Sequence, residues 1–168
     1  MTISGTWNAG YVDGPGEITW PECVYKGNLK RGIRHGHGVF SGKNYRYDGE
    51  WKDGLRHGYG KQKMPCGEFF VGNFEDDYRN GLGTSYLTNN STISVTGEWK
   101  DDFQHGLCKT VSASGAVSIA YQSNGAVDLN KKMYLLNSRG DYFTGVKVED
   151  GLKGFIRELD SKGAVFNG

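Results

Sequence analysis

Residues 47–60 read Tyr47-Asp-Gly49-Glu-Trp51-Lys-Asp-Gly54-Leu-Arg-His57-Gly58-Tyr-Gly60. Tyr47, Gly49 and Trp51 alternate with Asp48, Glu50 and Lys52, the two-residue period of a strand with one apolar and one polar face. Lys52 to His57 carries turn chemistry with Asp-Gly at its centre, which favours a tight reversal between two strands. A second strand is expected to start near Gly58 and run towards Met64, where Pro65-Cys66-Gly67 turns the chain onward. The stretch therefore predicts a β-hairpin.

The same skeleton recurs. Tyr25-Lys-Gly27-Asn-Leu29-Lys-Arg-Gly32-Ile-Arg-His35-Gly36-His-Gly38 precedes it, and Gly97-Glu-Trp99 through His105-Gly106 follows it. Further copies run from Gly5-Thr-Trp7 to Gly14-Pro-Gly16 and from Gly72-Asn-Phe74 to Gly81-Leu-Gly83. The anchor glycines Gly5, Gly27, Gly49, Gly72 and Gly97 are spaced by 22, 22, 23 and 25 residues. The 48 residues from Gly97 to Gly145 leave room for a degenerate unit with Ala120 at its anchor, and Gly168 lies 23 beyond Gly145. A fixed period of this length marks a repeat architecture. A lone hairpin is marginal in water, so neighbours must stack to bury the aromatic face. The fold expected is all-β: an elongated single-layer antiparallel meander of about seven hairpins in one domain, 1–168, with well-matched repeats over 1–116 and degenerate ones over 117–168. Strands about 4.8 Å apart advance roughly 9–10 Å per repeat, or about 65–70 Å in all. The anchor glycine is expected where aromatics crowd the strand and a side chain would block backbone approach. Because the chain opens on a repeat and stops on an anchor, a longer array or a larger parent protein is expected.

The pattern Tyr-x-Gly-x-Trp-x-x-Gly-x-x-His-Gly-x-Gly resembles the MORN (membrane occupation and recognition nexus) repeat, strongly from Gly5 to Gly106 and less so afterwards. Asp77 and Asp102 stand where the turn glycine should be, Ala120 and Gln122 replace the anchor and aromatic of the sixth unit, and Lys147 replaces the aromatic of the seventh. Proteins with this repeat include junctophilins, plant phosphatidylinositol phosphate kinases, radial-spoke proteins, one class of histone lysine methyltransferases and protozoan cytoskeletal proteins. The resemblance thus implies a non-catalytic scaffold in the cytoplasm, at the cytoskeleton or a membrane, or the regulatory domain of an enzyme such as a lysine methyltransferase or lipid kinase.

Composition agrees with a repeat protein. The chain has 27 Gly, 10 Tyr, 8 Phe and 4 Trp but only 3 Pro, a pairing of glycine with large aromatics that excludes collagen and low-complexity disorder. A net charge of +1 gives no global field for polyanions, and no nucleic-acid partner is expected. Lys26, Lys30, Arg31, Arg34, Lys43 and Arg46 form a run with no acid among them. A solvated face balanced by Asp48 and Glu50 is the preferred reading of that run. Cys23, Cys66 and Cys108 are too few and too far apart for a disulfide framework or a CxxC site, which fits a reducing compartment. The opening MTISGTW lacks a signal-peptide pattern. The overlapping sequons at Asn89-Asn90-Ser91-Thr92 read as chance in a polar loop.

No residue pattern supports an active site or a cofactor. His35, His57 and His105 lie one repeat apart, roughly 9–10 Å, too far to share a zinc bound at about 2.1 Å, so they are expected to hold the loops by hydrogen bonds. Gly36-His-Gly38 and Gly58-Tyr-Gly60 do not complete a dinucleotide loop. Asp76-Asp77 and Asp101-Asp102 fall in turns, where Asp is common for backbone reasons. The binding candidate is the aromatic ladder Trp7, Leu29, Trp51, Phe74 and Trp99, flanked by Tyr25 and Tyr47. In one sheet layer, part of that ladder is expected to stay open as a groove for a partner helix or extended peptide. Arg34, Arg56, Glu50 and Glu98 are expected at its rim. Competing readings are an anionic-lipid module on the Lys26–Arg46 segment and a carbohydrate- or choline-binding repeat. The open strand edge near Gly163–Gly168 makes a homodimer a further expectation.

Overall fold

The computed structural model describes residues 1–88, 92–140, 142–148, 151–153, 157–159 and 165–167. The sequons at Asn89–Ser91 and the terminal anchor Gly168 lie outside the described residues. Every regular element is a strand: β1 Thr2–Asn8, β2 Tyr11–Thr19, β3 Cys23–Lys30, β4 Ile33–Gly42, β5 Arg46–Lys52, β6 Leu55–Lys63, β7 Phe69–Glu75, β8 Tyr78–Tyr86, β9 Thr92–Lys100, β10 Phe103–Ser112, β11 Val117–Ser123, β12 Ala126–Val127, β13 Lys132–Leu136, β14 Tyr142–Val148, β15 Gly151–Lys153, β16 Arg157–Leu159 and β17 Val165–Asn167. No helix of the described residues is long and apolar enough to cross a membrane. The chain forms two compact units, Met1–Ser85 and Tyr86–Gly168.

In the first unit β1 to β7 pair antiparallel in chain order, an open meander of hairpins. The tips are two-residue turns with both central residues at positive φ: Ala9-Gly10 (46°, 84°), Arg31-Gly32 (49°, 75°), Asp53-Gly54 (49°, 90°) and Asp76-Asp77 (47°, 73°). This is the reversal whose twist matches that of strands. The tip is shorter than the turn expected over Lys52–His57, so β6 begins at Leu55 rather than near Gly58. The His-Gly step is instead a bulge. Glu50 pairs with His57 and Gly49 with Gly60, leaving Gly58 and Tyr59 unmatched, with Gly58 at φ 57°.

A row of glycines crosses the strands: Gly5, Gly16, Gly27, Gly38, Gly49, Gly60 and Gly72 pair in succession. Aromatic rings lie over it. A methyl group on Gly60 would sit 2.5 Å from Tyr47 Oη and 2.7 Å from its Cε2, and one on Gly38 would collide with the Tyr25 ring. The hydroxyls reach past the glycines to backbone. Tyr25 Oη donates to Asn28 O at 2.7 Å, and Tyr47 Oη to Glu50 O at 3.0 Å. The floor under each tyrosine ring is therefore the second-strand glycine. The anchor glycine facing it has its own steric cause: a methyl on Gly27 would collide with the Cα of Gly38, one on Gly49 would sit 2.6 Å from that of Gly60, and each would lie 2.8 Å from the tyrosine hydroxyl.

Tips are also sutured to the hairpin before them. Gly32 N donates to Val12 O at 2.8 Å, Gly54 N to Arg34 O at 2.9 Å, and Asp77 N to Arg56 O at 3.1 Å. These bonds engage donors and acceptors that strand pairing alone leaves unused at a tip.

In the second unit β9, β10 and β11 pair antiparallel in chain order, with tips Asp101-Asp102 and Asn124-Gly125 again at positive φ. Ala120 pairs with Cys108 and Gln122 with Gly106, the places that Gly49 and Trp51 hold opposite Gly38 and Gly36. The sixth unit departs in its second strand. A turn at Asp128–Lys131 splits it into β12, paired with the end of β11, and β13, paired with its start. On β14 the anchor Gly145 pairs with Met133.

Candidate partner-binding face

Each ladder residue shares a face with the second-strand residue paired to it. Trp7 pairs with Val12, Leu29 with Arg34, Trp51 with Arg56 and Trp99 with Gln104. Leu29, Trp51, Phe74 and Trp99 are buried, whereas Trp7 is 60 % exposed. Trp51 sits edge-on to Tyr25 (centroids 5.5 Å) and Tyr47 (5.0 Å), and Tyr47 edge-on to Phe74 (5.2 Å). Its indole Nε1 donates to Gly38 O at 3.0 Å. Tyr25 and Tyr47 are fully buried, and burial pushes the Tyr25 phenol up to about 12 and raises that of Tyr47 as well. The open groove expected along this ladder is thus filled by its own rings. With no second layer available, the rings, closed over by arginines, form the core themselves.

The arginines expected at a rim are lids on this row. The Arg34 guanidinium lies 4.2 Å from the Trp51 ring centroid, and Nη2 donates to Gly54 O at 2.7 Å. Arg56 lies 5.1 Å from Phe74, and its Nε donates to Asp77 Oδ1 at 2.9 Å while Nη1 reaches Tyr45 Oη at 3.3 Å. A third bond joins Arg56 Nη2 to Asp77 O. The expected rim acids lie against the bulges. Glu50 Oε1 accepts from Tyr59 N at 3.4 Å, and Glu98 lies against the equivalent bulge, where a methyl on Gly106 would be 2.8 Å from its Oε2.

The histidines differ among themselves. His35 Nδ1 accepts from Asp53 N at 3.4 Å, as expected of a loop-holding residue. His57 Nδ1 and His105 Nδ1 are buried without a hydrogen bond, contrary to that expectation. The bond that His35 accepts from the backbone N–H of the next tip is thus not repeated at His57 or His105. Among the described residues no three metal-ligating side chains converge.

The basic run Lys26–Arg46 is not one patch. Lys26 pairs with Glu17 at 3.0 Å, Arg34 is in the aromatic row, and Arg46 pairs with Asp48 at 3.2 Å. The Lys26 ammonium holds the Glu17 carboxyl below its ordinary range.

One cluster of half-buried rings lies near the connections between hairpins. Phe40 has Trp20 on one side (6.0 Å) and Tyr45 on the other (5.8 Å), all three half-buried, with Arg34 5.7 Å from the Phe40 ring. Trp20 and Tyr45 sit outside the repeating skeleton, so no period singled them out.

Five successive stretches, residues 4–22, 25–45, 47–65, 70–92 and 96–117, match the MORN repeat. The chain belongs to the MORN-repeat family. Its last matched MORN repeat ends where β11 begins. No curated protein matches the chain. Among solved structures it is similar to the TCP domain of SAS-4 (dCPAP) of Drosophila melanogaster, with a TM-score of 0.59, 14 % identity, and coverage of 99 % of this chain and 88 % of that one. That domain is in complex with a proline-rich motif of Ana2 (dSTIL). At this identity the likeness is one of fold alone.

Proposed function

We propose that this MORN-repeat chain is a non-catalytic scaffold that holds a segment of a partner protein on the aromatic face of its first unit, over Trp20, Phe40, Tyr45 and Arg34. The observation that carries the reading is the state of Arg34. Its guanidinium is held over Trp51 with only Nη2 engaged, so most of its five donors are left for carbonyls of a bound segment. Three half-buried rings stand beside it. Aromatic grooves with fixed donors suit extended and proline-rich peptides, and Trp and Arg are the residues that most often anchor interfaces. The bound motif of the SAS-4 TCP domain supports the reading by analogy of fold. The reading places the chain in the cytoplasm, at cytoskeletal or membrane structures with which MORN-repeat proteins are associated. Its test is selection of binders from a displayed peptide library on the folded chain, followed by titration of the selected peptide. Trp20→Ala and Arg34→Ala are each expected to weaken binding by about tenfold or more with an unchanged circular dichroism spectrum. Recovery of no binder, or binding that neither variant alters, sinks the reading.

A further inference from the structure

Arg34 and Arg56 hold equivalent places, 22 residues apart, in successive repeats. They share one setting. The carbonyl of Arg34 accepts from Gly54 N at 2.9 Å, and that of Arg56 from Asp77 N at 3.1 Å. Arg34 Nη2 donates to Gly54 O, and Arg56 Nη2 to Asp77 O. Each guanidinium lies over a ring of the following repeat, Trp51 or Phe74. They differ in the carboxylate. Asp77 Oδ1 accepts from Arg56 Nε at 2.9 Å, whereas Gly54, which stands in the place of Asp77, brings no side chain. The acid that this tip does carry, Asp53, lies 3.5 Å from His35 Nδ1. Among the described residues Arg34 makes no ion pair. Burial pushes its guanidinium below the ordinary range, and Asp77, whose charge acts on it in the opposite sense, is bonded to Arg56. A cation half out of water without an opposite charge is costly, and a carboxylate that reaches it relieves the cost.

Arg34 lies on the face proposed to hold the partner, 5.7 Å from the Phe40 ring, which has Trp20 and Tyr45 at its sides. We infer that the bound protein segment carries an Asp or Glu at one fixed position, whose carboxylate takes the Nε of Arg34 as Asp77 takes that of Arg56. The residues next to that acid then lie against Phe40 and Trp20. The inference rests on the peptide-binding reading and specifies the partner's chemistry. A phosphate is the poorer occupant. It brings nearly two negative charges, and of the two clamps only that of Arg34 is open, since Arg56 already holds Asp77.

The test uses the full chain and two variants, each shown to fold by circular dichroism and a thermal melt. Gly54→Asp supplies the missing acid from within. Asp77 and Asp102 show that a tip holds Asp at positive φ, and a Cβ on Gly54 meets only Ile33 Cγ2, at 3.3 Å. Arg34→Gln removes the charge and leaves the tip unchanged. Wild type and Arg34→Gln are used to select from one displayed peptide library. Wild-type binders are expected to carry Asp or Glu at one fixed position, and binders of Arg34→Gln to show no acidic preference there. Gly54→Asp is expected to bind the wild-type peptide at least about tenfold more weakly. A peptide with that acid changed to Ala is expected to bind wild type and Gly54→Asp alike, which isolates the pair. Wild-type binders with no fixed acid, the same acidic preference on Arg34→Gln, or undiminished binding by Gly54→Asp each overturn the inference and leave the scaffold reading standing. An absence of any binder removes both. Tighter binding when phosphoserine replaces the fixed acid assigns the site to a phosphate and also overturns the inference.

Discussion

The thiol of Cys108 donates to the carbonyl of His105 across 3.4 Å, the bond that the Tyr47 hydroxyl makes to the carbonyl of His57 across 3.5 Å. The match extends to the second acceptor, Glu98 O for Cys108 and Glu50 O for Tyr47. In the fifth repeat Val95 holds the tyrosine position and Cys108 the place of the glycine beneath it, both buried. A large ring over a glycine has been exchanged for a small residue beside a cysteine, and the sulfur takes over the hydroxyl's bonds. Burial raises the thiol's pKa, so it stays protonated and able to donate.

This exchange predicts strong coupling. Val95→Tyr alone drives a ring into the sulfur and is expected to cost about 1–3 kcal/mol. Cys108→Gly alone empties the space and removes two weak bonds, at about 1–2 kcal/mol. The double variant recreates the Tyr47–Gly60 pair and is expected to recover at least about 1 kcal/mol relative to the sum of the singles. Equilibrium urea unfolding of the four proteins decides it; additive losses mean that the two positions do not share the space.

Asp77 does two jobs at the fourth tip. It sits at φ 73°, where a non-glycine residue is strained, and its carboxylate accepts from both N and Nε of Arg56 at 2.9 Å. Asp77→Gly relieves the backbone but removes the carboxylate's two bonds to Arg56. Asp77→Ala loses the bonds and keeps the strain. The alanine variant is expected to be less stable than wild type by about 2–3 kcal/mol, and the glycine variant by about 1 kcal/mol less than that. Equal losses in the two variants would place the whole effect in the Arg56 clamp.

The first tip offers a gain instead. Ala9 lies at φ 46° in a turn whose neighbour Gly10 is also left-handed, and alanine has no side-chain polar group to support that conformation. Ala9→Asn supplies the residue type this turn favours and is expected to stabilise by about 0.5–1 kcal/mol, raising the melting temperature by roughly 2–3 °C. A melting temperature at or below that of wild type refutes this account of the turn.

What was legible in the sequence follows from what repeats. The 22-residue spacing of Gly-x-aromatic steps implied hairpins in register, and Asp53-Gly54 implied a tight tip, because both signals are local. The substitutions Asp77 and Asp102 were visible as departures, and the structure puts both at positive φ, so the turn survived the loss of glycine. The arginine lids were not legible. A cation after a turn reads as solvated, and only pairing Trp51 to Arg56 and stacking Arg34 on Trp51 turns it inward. The row Trp20–Phe40–Tyr45 takes two of its three rings from the connections, where the period carries no information. Their neighbours become known only once strand register is known.

The buried tyrosines set the limit of stability in alkali. The ordinary phenol pKa is 10.0, and in the folded chain Tyr25 is raised to about 12, with Tyr47 and Tyr45 also raised, burial being the main cause in each. A raised folded pKa means that the folded state holds its proton more tightly than the unfolded chain. The contribution is therefore complete below pH 10 and is lost as pH rises from there through the folded values. The Cys108 thiol, raised from 9.0 by burial, adds to the loss from a slightly lower pH. Melting temperature is expected to be flat with respect to these groups up to about pH 9 and to fall steeply between about pH 10 and 12. Tyr47→Phe gives up the bonds to Glu50 O and His57 O and starts about 1 kcal/mol less stable at neutral pH. Because it has one fewer phenol to ionise, its stability falls less steeply above pH 10, and the two curves draw together. Melts of both proteins at intervals of half a pH unit provide the check: parallel curves through the alkaline range would mean that Tyr47 does not carry the pH dependence assigned to it.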